Sequence, residues 1–188
     1  MSLIIRTETI VSSLQKRMDA LTFKWKGGDN TTDYIEKKPK VYAFTYDDLS
    51  NGYPLHTPSV CVQLLSVDDN GVSQYLVHCC VCNSALQDKE ITHEITGDPG
   101  VYEYGTGDNI DSARVRSELY KFCLLLGEQV YLALKQMGNT NHDIKEVVLN
   151  TPSPYLDDFP FAECTVSFES DSRQIVESLR NTELEFML

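Results

Sequence analysis

The feature that most constrains this chain is the stretch 111–137, DSARVRSELYKFCLLLGEQVYLALKQM. Its apolar residues fall at Val115, Leu119, Phe122, Cys123, Leu126, Val130, Ala133, Leu134 and Met137. Steps of three, four and one place them on a single stripe of a helix turning every ~3.6 residues. Arg114, Glu118, Lys121, Glu128 and Lys135 take the other side, and Glu118 has Lys121 three positions on as a surface partner. Asp111 or Ser112 supplies cap chemistry at the start, and Gly138-Asn139 reads as a left-handed stop. At ~1.5 Å per residue this is a rod of about 40 Å with one wide apolar face. Such a rod needs a sheet or other helices to lie on.

The flanking segments supply that sheet. Residues 3–21 carry Leu3, Ile4, Ile10, Val11, Leu14, Met18 and Leu21 at helical spacing, opposite Arg6, Glu8, Gln15, Lys16 and Asp19. Residues 22–38 contain Gly27-Gly28-Asp29-Asn30 and no sustained period, which predicts a loop or a mobile hairpin around the single tryptophan, Trp25. Residues 41–46 predict a short strand. Val60, Val62 and Leu64 then alternate against Cys61, Gln63 and Leu65. Asp68-Asp69-Asn70-Gly71 separates that run from a return strand over 75–82, and Asn-Gly between alternating runs is a strong hairpin signal. Residues 91–96 predict an edge strand, with Ile91, His93 and Ile95 on one face. The glycine-rich segment 97–109 (GDPGVYEYGTGDN) follows, and loops of that length are usually functional or disordered. Beyond the long helix, residues 144–149 predict a strand and 150–160 a proline-broken turn. Ala162, Cys164, Val166 and Phe168 then alternate against Glu163, Thr165, Ser167 and Glu169 as an amphipathic strand.

The expected fold is therefore α+β. A mainly antiparallel sheet with a long central hairpin packs against an N-terminal helix and the long second helix. Residues 1–170 read as one such domain, and 188 residues suffice for a real core. Residues 171–188, with Ile175, Val176, Leu179, Leu184, Phe186 and Met187, read as an arm or a short helix.

Bulk charge narrows the function. A net charge of −12 repels a phosphate backbone and argues against ordinary nucleic-acid binding, while remaining compatible with a channel that nucleic acid crosses without sticking. No run approaches ~18 apolar residues, so no membrane span is expected. Leu3, Ile4 and Ile5 before Arg6 and Glu8 do not read as a signal peptide.

Chemistry is tempting at one place. His78-Cys79-Cys80-Val81-Cys82 resembles a metal cluster, but on a strand His78, Cys80 and Cys82 share one face and Cys79 takes the other. Same-face neighbours sit ~6.8 Å apart, so a straight strand cannot gather three ligands at zinc distances of ~2.0–2.3 Å. Two of them with Cys61 or Cys164 from neighbouring strands remain an alternative. The six cysteines (61, 79, 80, 82, 123 and 164) all stand in apolar runs and read as small buried side chains in a reducing compartment. No nucleophile elbow, HExxH or phosphate loop is present, and the aspartate pairs at 47–48, 68–69 and 157–158 sit in turn contexts. No catalytic residue, metal ligand or cofactor site is assigned. Tyr102 and Tyr104 suit an interface, a strand edge or a lid, because tyrosine offers rigid area with one polar tip.

The element order, together with Pro152-Ser153-Pro154-Tyr155-Leu156-Asp157-Asp158-Phe159-Pro160-Phe161-Ala162-Glu163 running into the alternating strand to Glu169, resembles the tail terminator (tail completion) proteins of long-tailed bacteriophages. The resemblance covers most of residues 3–169. It implies a virion structural subunit, assembled in the bacterial host cytoplasm, that closes into a hexameric ring on the last tail-tube ring. Such a ring ends tube polymerisation, meets the head–tail connector protein, and lets DNA pass through its lumen without specific binding. Interface candidates under this reading are Asp68, Asp69 and Asn70 at the hairpin tip, Tyr102 and Tyr104 in the glycine-rich segment, and Phe186 in the arm. The arm has no counterpart in the family and is read as reaching a neighbouring subunit. The alternatives are another head–tail joining or tail component, a metal-binding domain built on the cysteine strand, or a small adaptor domain.

Overall fold

The computed structural model describes residues 3–26, 34–47, 49–50, 53–54, 56–82, 93–95, 102–104, 112–139, 143–152 and 161–171. In chain order the elements are α1 (Leu3–Met18), β1 (Phe23–Lys26), β2 (Tyr34–Lys37), β3 (Lys40–Ala43), β4 (Leu49–Ser50), β5 (Tyr53–Pro54), β6 (Ser59–Val67), β7 (Val72–Cys82), β8 (His93–Ile95), β9 (Tyr102–Tyr104), α2 (Ser112–Asn139), β10 (Ile144–Asn150) and β11 (Phe161–Asp171). Five strands form one sheet in the order β10-β11-β7-β6-β3. All neighbours are antiparallel except β3 and β6, which run parallel. Both helices pack against this sheet, and the fold is α+β.

Strand alternation decides which face the helices cover. On β11 the residues Ala162, Cys164, Val166, Phe168 and Ser170 are buried, and on β7 so are Ser73, Tyr75, Val77, Cys79 and Val81. The register joins them in pairs, Cys164 with Cys79 and Phe168 with Tyr75. Val60 and Val62 of β6 extend the same layer. From α2 the buried stripe is Leu119, Cys123, Leu126, Val130, Ala133, Leu134 and Met137, close to the one the periodicity predicts. Phe122 is half-buried at its margin and meets Phe23 of β1 edge-on, with ring centres 5.7 Å apart.

Helix α1 crosses the sheet. Near its start Arg6 Nε donates to Ser170 Oγ at 2.8 Å, and Thr7 Oγ1 meets the Tyr75 hydroxyl at 3.3 Å. Near its end Gln15 Nε2 donates to Pro39 O at 3.2 Å while its Oε1 accepts from Val41 N at 2.8 Å. Gln15 therefore covers backbone groups at the mouth of β3 that the short parallel ladder leaves over. The buried face of α1 is Thr7, Ile10, Leu14 and Met18. Ile4, assigned to that stripe from spacing, is instead exposed, because Thr7 takes the sheet-facing place one turn on. The helix also stops at Met18, not at residue 21. There Leu21 N donates to Met18 O at 2.9 Å and Ala20 N to Arg17 O at 3.3 Å, a tightened last turn.

The turn between β6 and β7 shows how local chemistry sets register. Asp68 Oδ1 accepts from Asn70 N at 3.0 Å and Val72 N at 2.7 Å, and Gly71 N donates to Asp68 O at 3.0 Å. Gly71 alone in this turn has positive φ (78°), so it occupies the left-handed position that closes a bulged hairpin, where a Cβ would be strained. A second irregularity lies between Leu64 and Ser66 on β6, which turns Leu65 out to solvent.

Of the loop and the hairpin expected for residues 22–38, the hairpin is found, with β1 and β2 paired antiparallel. Two other expectations change. Strand β8 pairs with β9 in a separate two-stranded unit and not with the edge of the main sheet. Gly138 is not a left-handed stop. It lies inside α2, and a Cβ there would meet the Ile144 carbonyl oxygen at 2.6 Å, so its smallness lets the helix end abut the start of β10.

Candidate functional site

The cysteines are core residues. All six are free thiols and buried. Strand alternation separates them: Cys79 and Cys164 face the helices, while Cys80 and Cys82 lie on the opposite face with His78. Cys79, Cys164 and Cys123 of α2 meet where the long helix crosses the sheet. Their contact requires Gly127, since a Cβ there would stand 2.5 Å from Cys164 Sγ and 2.9 Å from Leu149 Cδ1. With all three protonated, Cys123 Sγ donates to Cys79 O at 3.6 Å and Cys164 Sγ to Cys123 O at 3.3 Å. If Cys164 loses its proton, the Cys123 and Cys79 thiols become its donors. Those two bonds pull the Cys164 thiol down to about 5 against the opposing pull of burial. The same bond to Cys164, then burial, pushes Cys79 and Cys123 well up. No group of three or more His, Cys, Asp or Glu side chains among the described residues is arranged to hold a metal ion.

On the opposite face, His78 stands between two neighbours. Its Nδ1 lies 2.5 Å from Glu163 Oε1 and its Nε2 lies 3.2 Å from Gln63 Oε1. A carboxylate on Nδ1 orients an imidazole as a base orienter would, but Gln63 occupies the second nitrogen, where a base would work. The cross-strand neighbour of His78 is Cys61. Burial first, then the charges of Asp47 and Glu163, push its thiol up to about 11. At neutral pH it is a thiol and a poor nucleophile. Beside it Tyr46 packs edge-on against Tyr42, ring centres 5.3 Å apart, and its hydroxyl is pushed up by burial and by Cys80 and Cys61. Tyr46 Oη, Thr57 Oγ1 and Ser59 Oγ are buried with no well-formed hydrogen bond among the described residues, although the Ser59 hydroxyl is close enough to Tyr46 to oppose the upward shift in part.

These shifts have a sign. Cys61, Cys79, Cys123 and Tyr46 all hold their protons more tightly in the folded chain than in the unfolded one. Their contribution is fully present below the unfolded thiol value near 9 and is lost as pH rises through the folded values. Cys164 works oppositely, its contribution present above about 9 and lost as pH falls through about 5. Stability is thus expected to fall steeply between pH 9 and 11. Urea midpoints at pH 7.5 and 10.5 check this, and equal midpoints would contradict it.

The uncovered surfaces are of another kind. Strand β10 is one edge of the sheet. Its pairing with β11 is irregular between Lys145 and Val148, with Glu146 at φ 49°, so the regular part of the edge runs from Val148 to Asn150. Beside that part lies a groove of about 560 Å³ lined by Glu128, Tyr131 and Leu132 of α2 and Val147, Val148 and Leu149 of β10. Leu132 is 44% exposed, a large share for an apolar side chain lining a groove, while Val148, 50% exposed, turns to the sheet face away from α2, since its neighbour Leu149 is the one that reaches Gly127. At the other end of β10, a depression of about 250 Å³ is lined by Asn70, Val72, Asp143, Lys145, Glu169 and Asp171.

The expected interface residues distribute unevenly. Asp68, Asp69 and Asn70 are exposed at the β6–β7 turn, and Asn70 borders the smaller depression. Tyr102 and Tyr104 belong to β9, but their side chains, like Phe186 and residues 172–188 of the expected arm, lie outside the described residues, while Asp171 is the last residue of β11. The groove was not anticipated. Part of its signal was present: Leu132 is a leucine off the buried stripe of α2. Comparison with family models, curated proteins and solved structures finds no match to this chain.

Proposed function

We propose that the chain is a structural subunit that closes into a ring of the tail-terminator kind, capping a tail tube and meeting the head–tail connector. The observation that carries this reading is the β10 edge with its apolar groove, left open by a fold whose thiols are otherwise committed to packing. An edge strand with apolar flanks is a template for a second chain, and proteins that keep one uncovered use it for assembly. The acidic charge supports the same reading, because a lumen of that sign repels DNA and lets it slide. The hairpin tip at 68–71 projects exposed aspartates and serves as a second contact, toward the axis or a neighbour.

The test is the mass in solution, by light scattering, followed by negative-stain imaging. A six-membered ring with a central hole is the expected result, and added tail-tube protein then forms capped, shortened tubes. A monomer that stays monomeric with tube protein present, and leaves tube length unchanged, removes the reading.

A further inference from the structure

We infer that the groove between α2 and the free edge of β10 receives residues 184–188 of a neighbouring copy as an added strand. This rests on the ring reading above and names the contact that would close the ring.

Three features of the groove select an extended segment. Its floor is the regular part of an edge strand, Val148 to Asn150, whose outward N–H and C=O groups have no strand beyond them in the five-stranded sheet. Its wall is apolar, with Tyr131 and Leu132 on the helix and Val147 and Leu149 on the strand. The irregularity between Lys145 and Val148 limits regular pairing to three residues, enough for a short strand and too few for a second full edge. Strand addition uses both parts: main-chain bonds hold the segment, and alternate side chains enter the apolar wall.

The chain carries one stretch beyond β11 with that pattern. In Leu184-Glu185-Phe186-Met187-Leu188 the residues Leu184, Phe186 and Leu188 fall on one side of a strand. Five residues are enough to cover the three-residue regular edge. The segment belongs to the 17 residues after Asp171, whose N–H donates to Asp143 O at the foot of β10. The thirteen steps from Asp171 to Leu184 reach at most about 45 Å, which spans the seven-residue β10 and continues to an adjacent subunit. Edge and arm are different surfaces, so the contact is heterologous. Repetition of such a contact generates rings when the rotation closes.

The test uses two full-length variants, Leu132→Cys and Phe186→Cys, mixed and mildly oxidised, with solution mass measured in parallel. Leu132 lines the groove and is 44% exposed, so its replacement leaves the core intact. The expected result is a covalent dimer in the mixture, at least tenfold above either variant alone or the unmodified chain, with mass spectrometry placing the bridge at 132–186. An oligomer of ring size that yields no such dimer overturns the inference and leaves the ring reading standing. A monomer in solution and with tube protein overturns both. A double variant, Leu132→Cys with Phe186→Cys, that bridges wholly within one chain shows the arm folding back on its own groove, and overturns the inference as well.

Discussion

Phe168→Ala is expected to lower unfolding free energy by about 3–5 kcal/mol, the cost typical of truncating a buried aromatic ring. Phe168 is 2% exposed and lies in register with Tyr75, 1% exposed, on the covered face of the sheet. Their rings stack at 4.9 Å with an interplanar angle of 4°, and such pairs add roughly 0.5–1.5 kcal/mol beyond area burial. The damage spreads further, because the Tyr75 hydroxyl meets Thr7 of α1 and a tilting ring would loosen that helix. A domain with ~5–15 kcal/mol in total would be left near its threshold. Urea denaturation checks the value. Val148→Ala, at a half-exposed site, is the control and is expected to change stability by less than about 0.5 kcal/mol. Equal effects at the two positions would contradict the assignment of the core.

Gly127→Ala is expected to destabilise the protein even though alanine is the better helix former by about 1 kcal/mol. The added methyl would stand 2.5 Å from Cys164 Sγ and 2.9 Å from Leu149 Cδ1. Cys164 is buried among β-strand neighbours and cannot swing away, so α2 must shift off the sheet. Overpacking of this kind costs typically 1–3 kcal/mol, which outweighs the gain in propensity. A double-mutant cycle isolates the cause. With Cys164→Ala in place the closest clash is gone, and Gly127→Ala is expected to become nearly neutral. If Gly127→Ala costs the same in both backgrounds, the sulfur is not what the glycine accommodates.

Residues whose partners lie within one or two turns of the same element were legible early. The stripe from Leu119 to Met137 followed from helical spacing alone, and the alternation from Ala162 to Phe168 identified the covered face of β11. Asp68 and Gly71 announced their turn, since an aspartate that caps backbone amides and a glycine able to take positive φ act locally. The opposite cases each depend on a distant approach. Gly138 looked like a helix stop, yet it makes room for the Ile144 carbonyl. Ile4 fitted the spacing of α1 and still points to solvent, because the angle at which α1 crosses the sheet is set by Arg6, Thr7 and Gln15 meeting other strands.

The candidate site follows the same division. The chain by itself determined its two helical stripes, its alternating strands, its acidic charge and the burial of its thiols, because those follow from periodicity and composition. Tertiary structure alone decided strand order, the parallel seating of β3 on β6, the meeting of Cys79, Cys123 and Cys164, and the open groove beside β10. The physical reason is that a groove is the space left where two surfaces fail to cover one another. Leu132 and Leu149 are ordinary apolar residues in the sequence, and they came to line one groove only when α2 and the edge strand of the sheet lay side by side.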